Sequence, residues 1–189
     1  MPDVLVRAGM RRAVAGRLKD ERSRSEADRL AMLDAWHHGP IALVPDTANA
    51  QHYEVPSSFF ELVLGRRLKY SSCLWESPDT DLESAEEAML ALTVERAGIQ
   101  DGMRVLDLGC GWGSLSLWRA ERFPASSVVA VSNSRSQGRL IGDHARRRGL
   151  ENVEHQVVDV NDLQLHGSFD AMVSVEMLEH IRNHPVLLD

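Results

Sequence analysis

The spacing of apolar and polar positions changes character along the 189-residue chain. Over residues 1–30 charged side chains dominate, and Leu18 stands too isolated for a helix that holds itself together. Leu30, Leu33 and Trp36 then recur at helical spacing, so the segment is expected to be a helix that docks on the main body. From Pro40 to Asn49 the pattern breaks, with Pro45, Asp46 and Asn49 marking a connector. A second organised region opens at His52. Ser57 and Ser58 are expected to cap a short helix carrying Phe59, Phe60, Leu62, Val63 and Leu64, with Gly65 as its stop. Asp81 precedes LESAEEAMLALTVERAG, in which Leu82, Ala85, Met89, Leu92 and Ala97 trace one apolar face and Gly98 ends the run. Beyond Gly98 short apolar runs alternate with helical patterns. Met103–Leu108, Ser127–Val131, Val153–Val158 and Phe169–Val175 read as strands. Ser114–Arg122 and Ser136–Arg148, the latter closed by Gly149, read as helices, and another begins near Met177. That order predicts an α/β doubly wound sheet of parallel strands joined by right-handed crossovers, with no internal repeat.

Composition narrows the function. At 43% apolar and 26% charged, the chain can bury a core as one domain or a domain with an appendage. Twenty-one Lys and Arg against 28 Asp and Glu leave a net charge of -7, which argues against nucleic acid as a partner held by bulk phosphate neutralisation. Residues 1–30 run the other way, with eight basic side chains against five acidic ones. A solvated helix face laced by i,i+4 pairs accounts for this more readily than peripheral membrane contact, because Asp20, Glu21, Glu26 and Asp28 interrupt the basic run. Two cysteines, Cys73 and Cys110, exclude a disulfide scaffold and a multi-cysteine zinc site, so no metal is expected. No apolar run approaches the roughly 20 residues that span a bilayer, and the expected setting is the cytoplasm.

The most informative segment is Val105-Leu106-Asp107-Leu108-Gly109-Cys110-Gly111-Trp112-Gly113, an apolar strand ending in three alternating glycines before a helix. Residues without Cβ let the chain turn sharply and let a ligand approach the main chain, at the strand end where such sheets bind ligands. The same glycines also serve a tight turn on steric grounds alone. The spacing is G-x-G-x-G rather than G-x-G-x-x-G, and the second strand runs into Ser132-Asn133-Ser134-Arg135-Ser136-Gln137 with no acid for a ribose, so a dinucleotide fits poorly. Asp107 lies inside the apolar strand and needs a cation or several donors. Either a ligand ammonium or local backbone N–H groups would supply them.

VLDLGCGWG resembles the first motif of class I S-adenosylmethionine-dependent methyltransferases. The flanks resemble one branch, that of cyclopropane fatty acid synthases, mycolic acid cyclopropane synthases and plant coclaurine N-methyltransferase-like enzymes. The resemblance runs from about His52 to the end. It includes His52-Tyr53 before Phe59-Phe60, Lys69-Tyr70-Ser71, Ser132-Asn133-Ser134 with Gln137, and Ser174-Val175-Glu176-Met177-Leu178-Glu179-His180. It implies a Rossmann-like sheet with S-adenosyl-L-methionine as cofactor. Gly109, Cys110 and Gly111 would line its methionyl part, Asp107 would hold its ammonium, and Tyr70 and Ser71 would close over it. Ser132, Asn133 and Gln137 would face the ribose and adenosine with neutral groups. Asp159 would accept from the adenine amine while Val160 packs on the ring.

Glu176, Glu179 and His180 follow the fourth strand at a spacing that would place them on one face of a helical turn. By resemblance they orient the acceptor and manage its proton, and an ammonium must lose its proton before it can attack. A plain helix start would place acids there as well. Ser72 stands where the lipid enzymes' Tyr-Ser-Cys motif has its cysteine. Cys73, one place later, has no activating partner in view and reads as a small apolar residue. Class I methyltransferases normally carry seven strands, so the resemblance implies that the N-terminal four are present and three are missing. A longer polypeptide or a partner chain would then complete the sheet, and the isolated 189 residues are expected to turn over poorly or not at all. The expected organisation is an N-terminal helical extension over 1–51 and a truncated methyltransferase domain over 52–189. The expected function is methyl transfer to a small-molecule amine. Two alternatives are cyclopropanation of unsaturated acyl chains in phospholipid, and a non-catalytic cofactor-binding or assembly module.

Overall fold

Four short apolar runs pair into one parallel sheet: β1 (Arg104–Leu108), β2 (Ser127–Ser132), β3 (Val153–Val157) and β4 (Ala171–Val173), in the order β3-β2-β1-β4. Central β1 is buried on both faces from Val105 onward, which is why it reads as a near-continuous apolar run. Its register places Asp107 between Ala130 of β2 and Val173 of β4. The chain leaves β1 to one side for β2 and β3, then returns to the other side for β4. This reversal puts a topological switch point at the carboxyl end of β1.

A computed structural model describes residues 2–43 and 55–189. The expected connector residues Pro45, Asp46 and Asn49, the His52-Tyr53 pair and the expected boundary at 51/52 lie outside the described residues. The chain divides into two units, Ile41–Ile181 and a second made of the residues up to Pro40 with Arg182–Asp189.

In the first unit the helices are α3 (Ser57–Val63), α4 (Leu82–Arg96), α5 (Ser114–Arg122) and α6 (Arg135–Arg148). Side-chain caps start two of them, Asp81 accepting from Ser84 N–H and Ser134 from Gln137 N–H, and Gly149 in the left-handed region closes α6. Leu90, Val94, Ile99, Val105, Leu115, Trp118 and Val173 form one core cluster; Leu117, Ala130, Ile141 and Ala145 form another with Cys110. A third is made of Phe60, Leu68, Trp112 and Leu140, with the Phe60 and Trp112 rings 4.4 Å apart and Trp112 in the turn that follows β1.

Three expected elements differ. Ser57 is the first residue of its helix rather than a cap. Pro56 precedes it and no side chain caps the start. On α4 the buried stripe is Ala85, Glu86, Leu90 and Val94, while Leu82 and Ala97 are exposed. That helix carries apolar residues on several faces, so its packing neighbours rather than its pattern select the inner one. The fourth strand covers only Ala171–Val173. Asp170 ties its start to Arg104, with Asp170 N–H donating to Arg104 O at 2.8 Å and Arg104 N–H to Asp170 Oδ2 at 2.7 Å. Glu176 in the left-handed region ends the extended run beyond it.

The second unit has α1 (Asp3–Ser23), α2 (Glu26–His37) and α7 (His184–Leu188). The basic segment is thus two helices. Ser25 and Asp28 form a reciprocal capping box that restarts the chain after Arg24. The i,i+4 pairs expected on its face are present as Arg7–Asp3 and Arg17–Glu21, both at 2.6 Å. Buried Asn183 donates to the carbonyls of His37 and Gly39 at the end of α2. Among the described residues no helix is long and apolar enough to cross a membrane.

Candidate functional site

The turn from β1 into α5 is built from Gly109, Gly111 and Gly113, all at positive φ (83°, 54° and 81°). The N–H groups of Gly109 and Cys110 both donate to Val131 O at the end of β2, pinning the loop to the switch point. The glycines differ in what surrounds them. A Cβ at Gly109 would come within 2.8 Å of the Met177 side chain, and one at Gly113 within 2.6 Å of Ile141, whereas one at Gly111 would meet nothing within 4 Å. Gly111 therefore faces open space at the mouth of the loop. Gly111→Ala is expected to cost only its left-handed backbone, about 1–2 kcal/mol. Gly109→Ala should cost more because it also displaces Met177. Denaturant unfolding of the two variants measures this, and equal losses would leave the Met177 contact without weight.

Asp107 is buried directly beneath this loop. Neither of the two partners anticipated from its position accounts for it fully. Ser116 Oγ on α5 donates to Asp107 Oδ2 at 2.6 Å, and the Ser116 backbone adds a bond. Burial outweighs these bonds and the more distant positive charges of Lys69 and Arg119, pushing the Asp107 pKa up to about 6. A carboxylate so placed is short of a cation. Cys110 is also buried, and burial, followed by the Asp107 charge, raises its thiol well above the usual range, as expected for an inert packing residue.

At the end of β2, Ser132 and Gln137 are buried and Asn133 half-buried around the start of α6. Ser132 Oγ lies 3.2 Å from His155 Nε2 on β3. Asp159 caps a single 3₁₀ turn (Val160–Asp162). Its Oδ1 accepts from Asn161 N–H at 2.8 Å and from Asn161 Nδ2 at 2.9 Å, so half of its carboxylate already has local partners.

The end of β4 departs from expectation. Glu176, at φ 53°, precedes the next turn, and only Leu178–His180 form a 3₁₀ turn, so Glu176, Glu179 and His180 do not share one helical face. Asn183 and Pro185 postpone the following helix to His184. Glu176 turns instead toward the segment before α4. Ser71 Oγ donates to its Oε2 at 2.5 Å and Ser72 Oγ donates to Oε1. These two hydroxyls, with help from the Lys69 charge, hold the Glu176 carboxyl below its ordinary range. Tyr70 packs its ring 5.9 Å from Phe60, while exposed Glu179 and His180 stand on the turn beyond. Half-buried Cys73 has its thiol raised by burial, in keeping with a packing role. The structure thus joins Ser71 to Glu176 across 105 positions and seats Asp107 under the glycines. Sequence reasoning missed Ser116, His155, Met177 and Glu86. The last stood in plain view as an acid on α4, but no local signal marks it as buried.

A parallel sheet with a glycine loop at its switch point, over an acid on the first strand, is the Rossmann-like sheet of class I methyltransferases. The family model described as mycolic acid cyclopropane synthetase matches residues 44–186, and the chain belongs to that family. It is similar to (S)-coclaurine N-methyltransferase of Thalictrum flavum subsp. glaucum, 43% identical over 148 residues, covering 78% of this chain and 41% of the relative. Cyclopropane-fatty-acyl-phospholipid synthase of Escherichia coli (strain K12) is 34% identical over 131 residues, covering 69% of this chain and 32% of the relative. A crystal structure of coclaurine N-methyltransferase bound to N-methylheliamine and SAH is 36% identical with a TM-score of 0.84, covering 100% of this chain and 55% of that one. The chain spans 41% and 32% of the lengths of the two curated relatives.

Proposed function

We propose that this chain provides the cofactor-binding part of an S-adenosylmethionine-dependent methyltransferase that methylates a small-molecule amine in the cytoplasm, with residues 52–189 as the methyltransferase domain and 1–51 as a helical extension. The observation that carries this reading is Asp107, a buried carboxylate short of a cation beneath three left-handed glycines. The residues present fit the cofactor. Gly111 leaves open space at the loop mouth, Asp107 matches an ammonium, and Ser132, Asn133 and Gln137 offer neutral groups to sugar and base. Gly109 and Cys110 complete the methionyl side, Tyr70 and Ser71 close it, and Asp159 with Val160 borders the adenine end. When bound, S-adenosylmethionine supplies an electrophilic sulfonium methyl group.

The remaining work falls to the β4 end. Glu176, kept charged by its serine partners, attracts and orients a cationic amine. Glu179 and His180 take the proton that must leave before the nitrogen lone pair can attack. Holding the amine nitrogen in contact with the methyl group to be transferred contributes much of the acceleration in such a displacement. Similarity to the coclaurine enzyme supports an amine acceptor.

A second reading, cyclopropanation of unsaturated phospholipid, draws support from the synthase relative and would bring the basic α1 toward an anionic surface. A charged carboxylate at the acceptor end suits an ammonium better than an alkene, and Ser72 departs from the lipid enzymes' cysteine. Offering radiolabelled methyl donor, with this chain inside a longer polypeptide that completes the sheet, to amines and to unsaturated phospholipids in parallel separates the two. Label in the amine is expected, and label in lipid alone would replace this reading with the second. Loss of transfer in Glu179→Ala within that longer polypeptide, with cofactor affinity kept, would reject a purely non-catalytic module.

A further inference from the structure

Glu86 on α4 has no accessible surface. Burying a carboxylate is costly unless it is hydrogen-bonded, so its partners show what holds it inside. Among the described residues both are backbone groups of one loop. Arg67 N–H donates to Oε2 and Lys69 N–H to Oε1, each at 2.9 Å. The loop also presses on the carboxylate at Gly65, where an added Cβ would overlap it.

This loop does not hold its own shape. Leu68, between the two donors, sits at φ 56° and Ser72 at φ 57°, a region that neither residue favours, and such a backbone persists only when its surroundings impose it. Leu68 is pinned into the cluster with Phe60, Trp112 and Leu140, and the Arg67 side chain is held by Glu87 at 2.5 Å and Glu121 at 2.6 Å. The chain then runs on through Lys69-Tyr70-Ser71-Ser72, and the two serine hydroxyls reach Glu176.

We infer that Glu86 is a positioning residue for the cofactor and acceptor sites: it templates the Gly65–Lys69 backbone so that Lys69–Ser72 sits over the glycine loop and meets Glu176. This rests on the methyltransferase reading above. Glu86 touches neither ligand and acts only through the loop.

The test uses two variants of the intact protein that attack the clamp from opposite sides, Glu86→Gln and Gly65→Ala. The first leaves one acceptor and turns a second donor toward a backbone N–H. The second drives a methyl into the carboxylate. In both, the Arg67 and Lys69 amides are expected to exchange with solvent at least about tenfold faster while the Val129 and Val131 amides stay protected, the change that losing a buried hydrogen bond produces. SAH affinity by calorimetry should fall about tenfold, with KM for the amine rising more than kcat falls. A variant that merely loosened the fold would expose the sheet amides too. Should Glu86→Gln fail to fold, Gly65→Ala reads the same clamp. Loop amides that stay protected, or SAH affinity within about twofold of wild type once they exchange freely, would overturn the proposal. Failure of the wild-type protein to bind SAH would instead overturn the methyltransferase reading, a result independent of both variants.

Discussion

Within a longer polypeptide that completes the sheet, replacing His180 by glutamine is expected to lower the rate of amine methylation by about 10²–10⁴-fold while SAH affinity stays within about twofold, the loss typical of a missing proton acceptor. Glu176→Gln is expected to act differently, raising KM for the amine by about tenfold or more as a charge-assisted contact is lost. The contrast follows from the geometry. Hydrogen bonds from Ser71 and Ser72, reinforced by Lys69, keep the Glu176 carboxyl below its usual range. A carboxylate stabilised in this way is a weaker base and a better partner for a cation. The His180 ring instead offers a nitrogen lone pair that can take up the amine's proton. Steady-state kinetics of the two variants with a series of amines decides the matter. A pure KM effect in His180→Gln together with a pure kcat effect in Glu176→Gln would reverse the assigned roles. Removing both serine hydroxyls should also raise the pH at which the Glu176 carboxyl titrates, which carboxyl NMR can follow.

Asp107→Asn is expected to weaken SAH binding by about 10–100-fold, the range for a hydrogen bond to a charged group, without lowering the stability of the ligand-free protein. Burial, opposed mainly by the Ser116 hydroxyl, raises the Asp107 pKa from 3.8 to about 6. Between those values the folded chain keeps a proton that the unfolded chain releases. The group therefore favours folding fully below 3.8, and that contribution is lost as pH climbs through about 6. The asparagine cannot ionise, so denaturant unfolding of the variant should lack this decline. Ligand binding runs with the opposite sign. An ammonium needs the charged carboxylate, so SAH affinity should fall as pH drops below about 6 in wild type and stay flat in the variant. Calorimetric titrations on either side of that value measure it. A wild-type profile flat across the interval would remove Asp107 from the cofactor's ammonium.

Local chemistry accounts for what could be read in advance. Gly109, Gly111 and Gly113 occupy positive φ, a requirement that falls on the residue itself, and Asp81, Ser134 and Gly149 bound their helices through bonds made within a few residues. The α5 limits follow from Gly113 before the helix and Phe123 after it. The β4 end resisted because the spacing of Glu176, Glu179 and His180 resembles a helical turn, whereas Glu176 takes a left-handed backbone whose partners come from Ser71 and Ser72. A period of three and four cannot report a hydrogen bond across 105 positions.

The chain's own pattern of apolar runs, caps and glycines determined a parallel α/β sheet with a left-handed glycine turn after its first strand, because each of these is a short-range property of a few consecutive residues. Tertiary structure alone decided that Asp107 would take Ser116 as its partner, that Glu86 would be drawn inside to hold a loop, and that two serines would meet Glu176. Burial and hydrogen bonding between distant segments depend on which faces pack together. That choice is made by the whole fold, where the desolvation of each carboxylate is set against the donors that surround it.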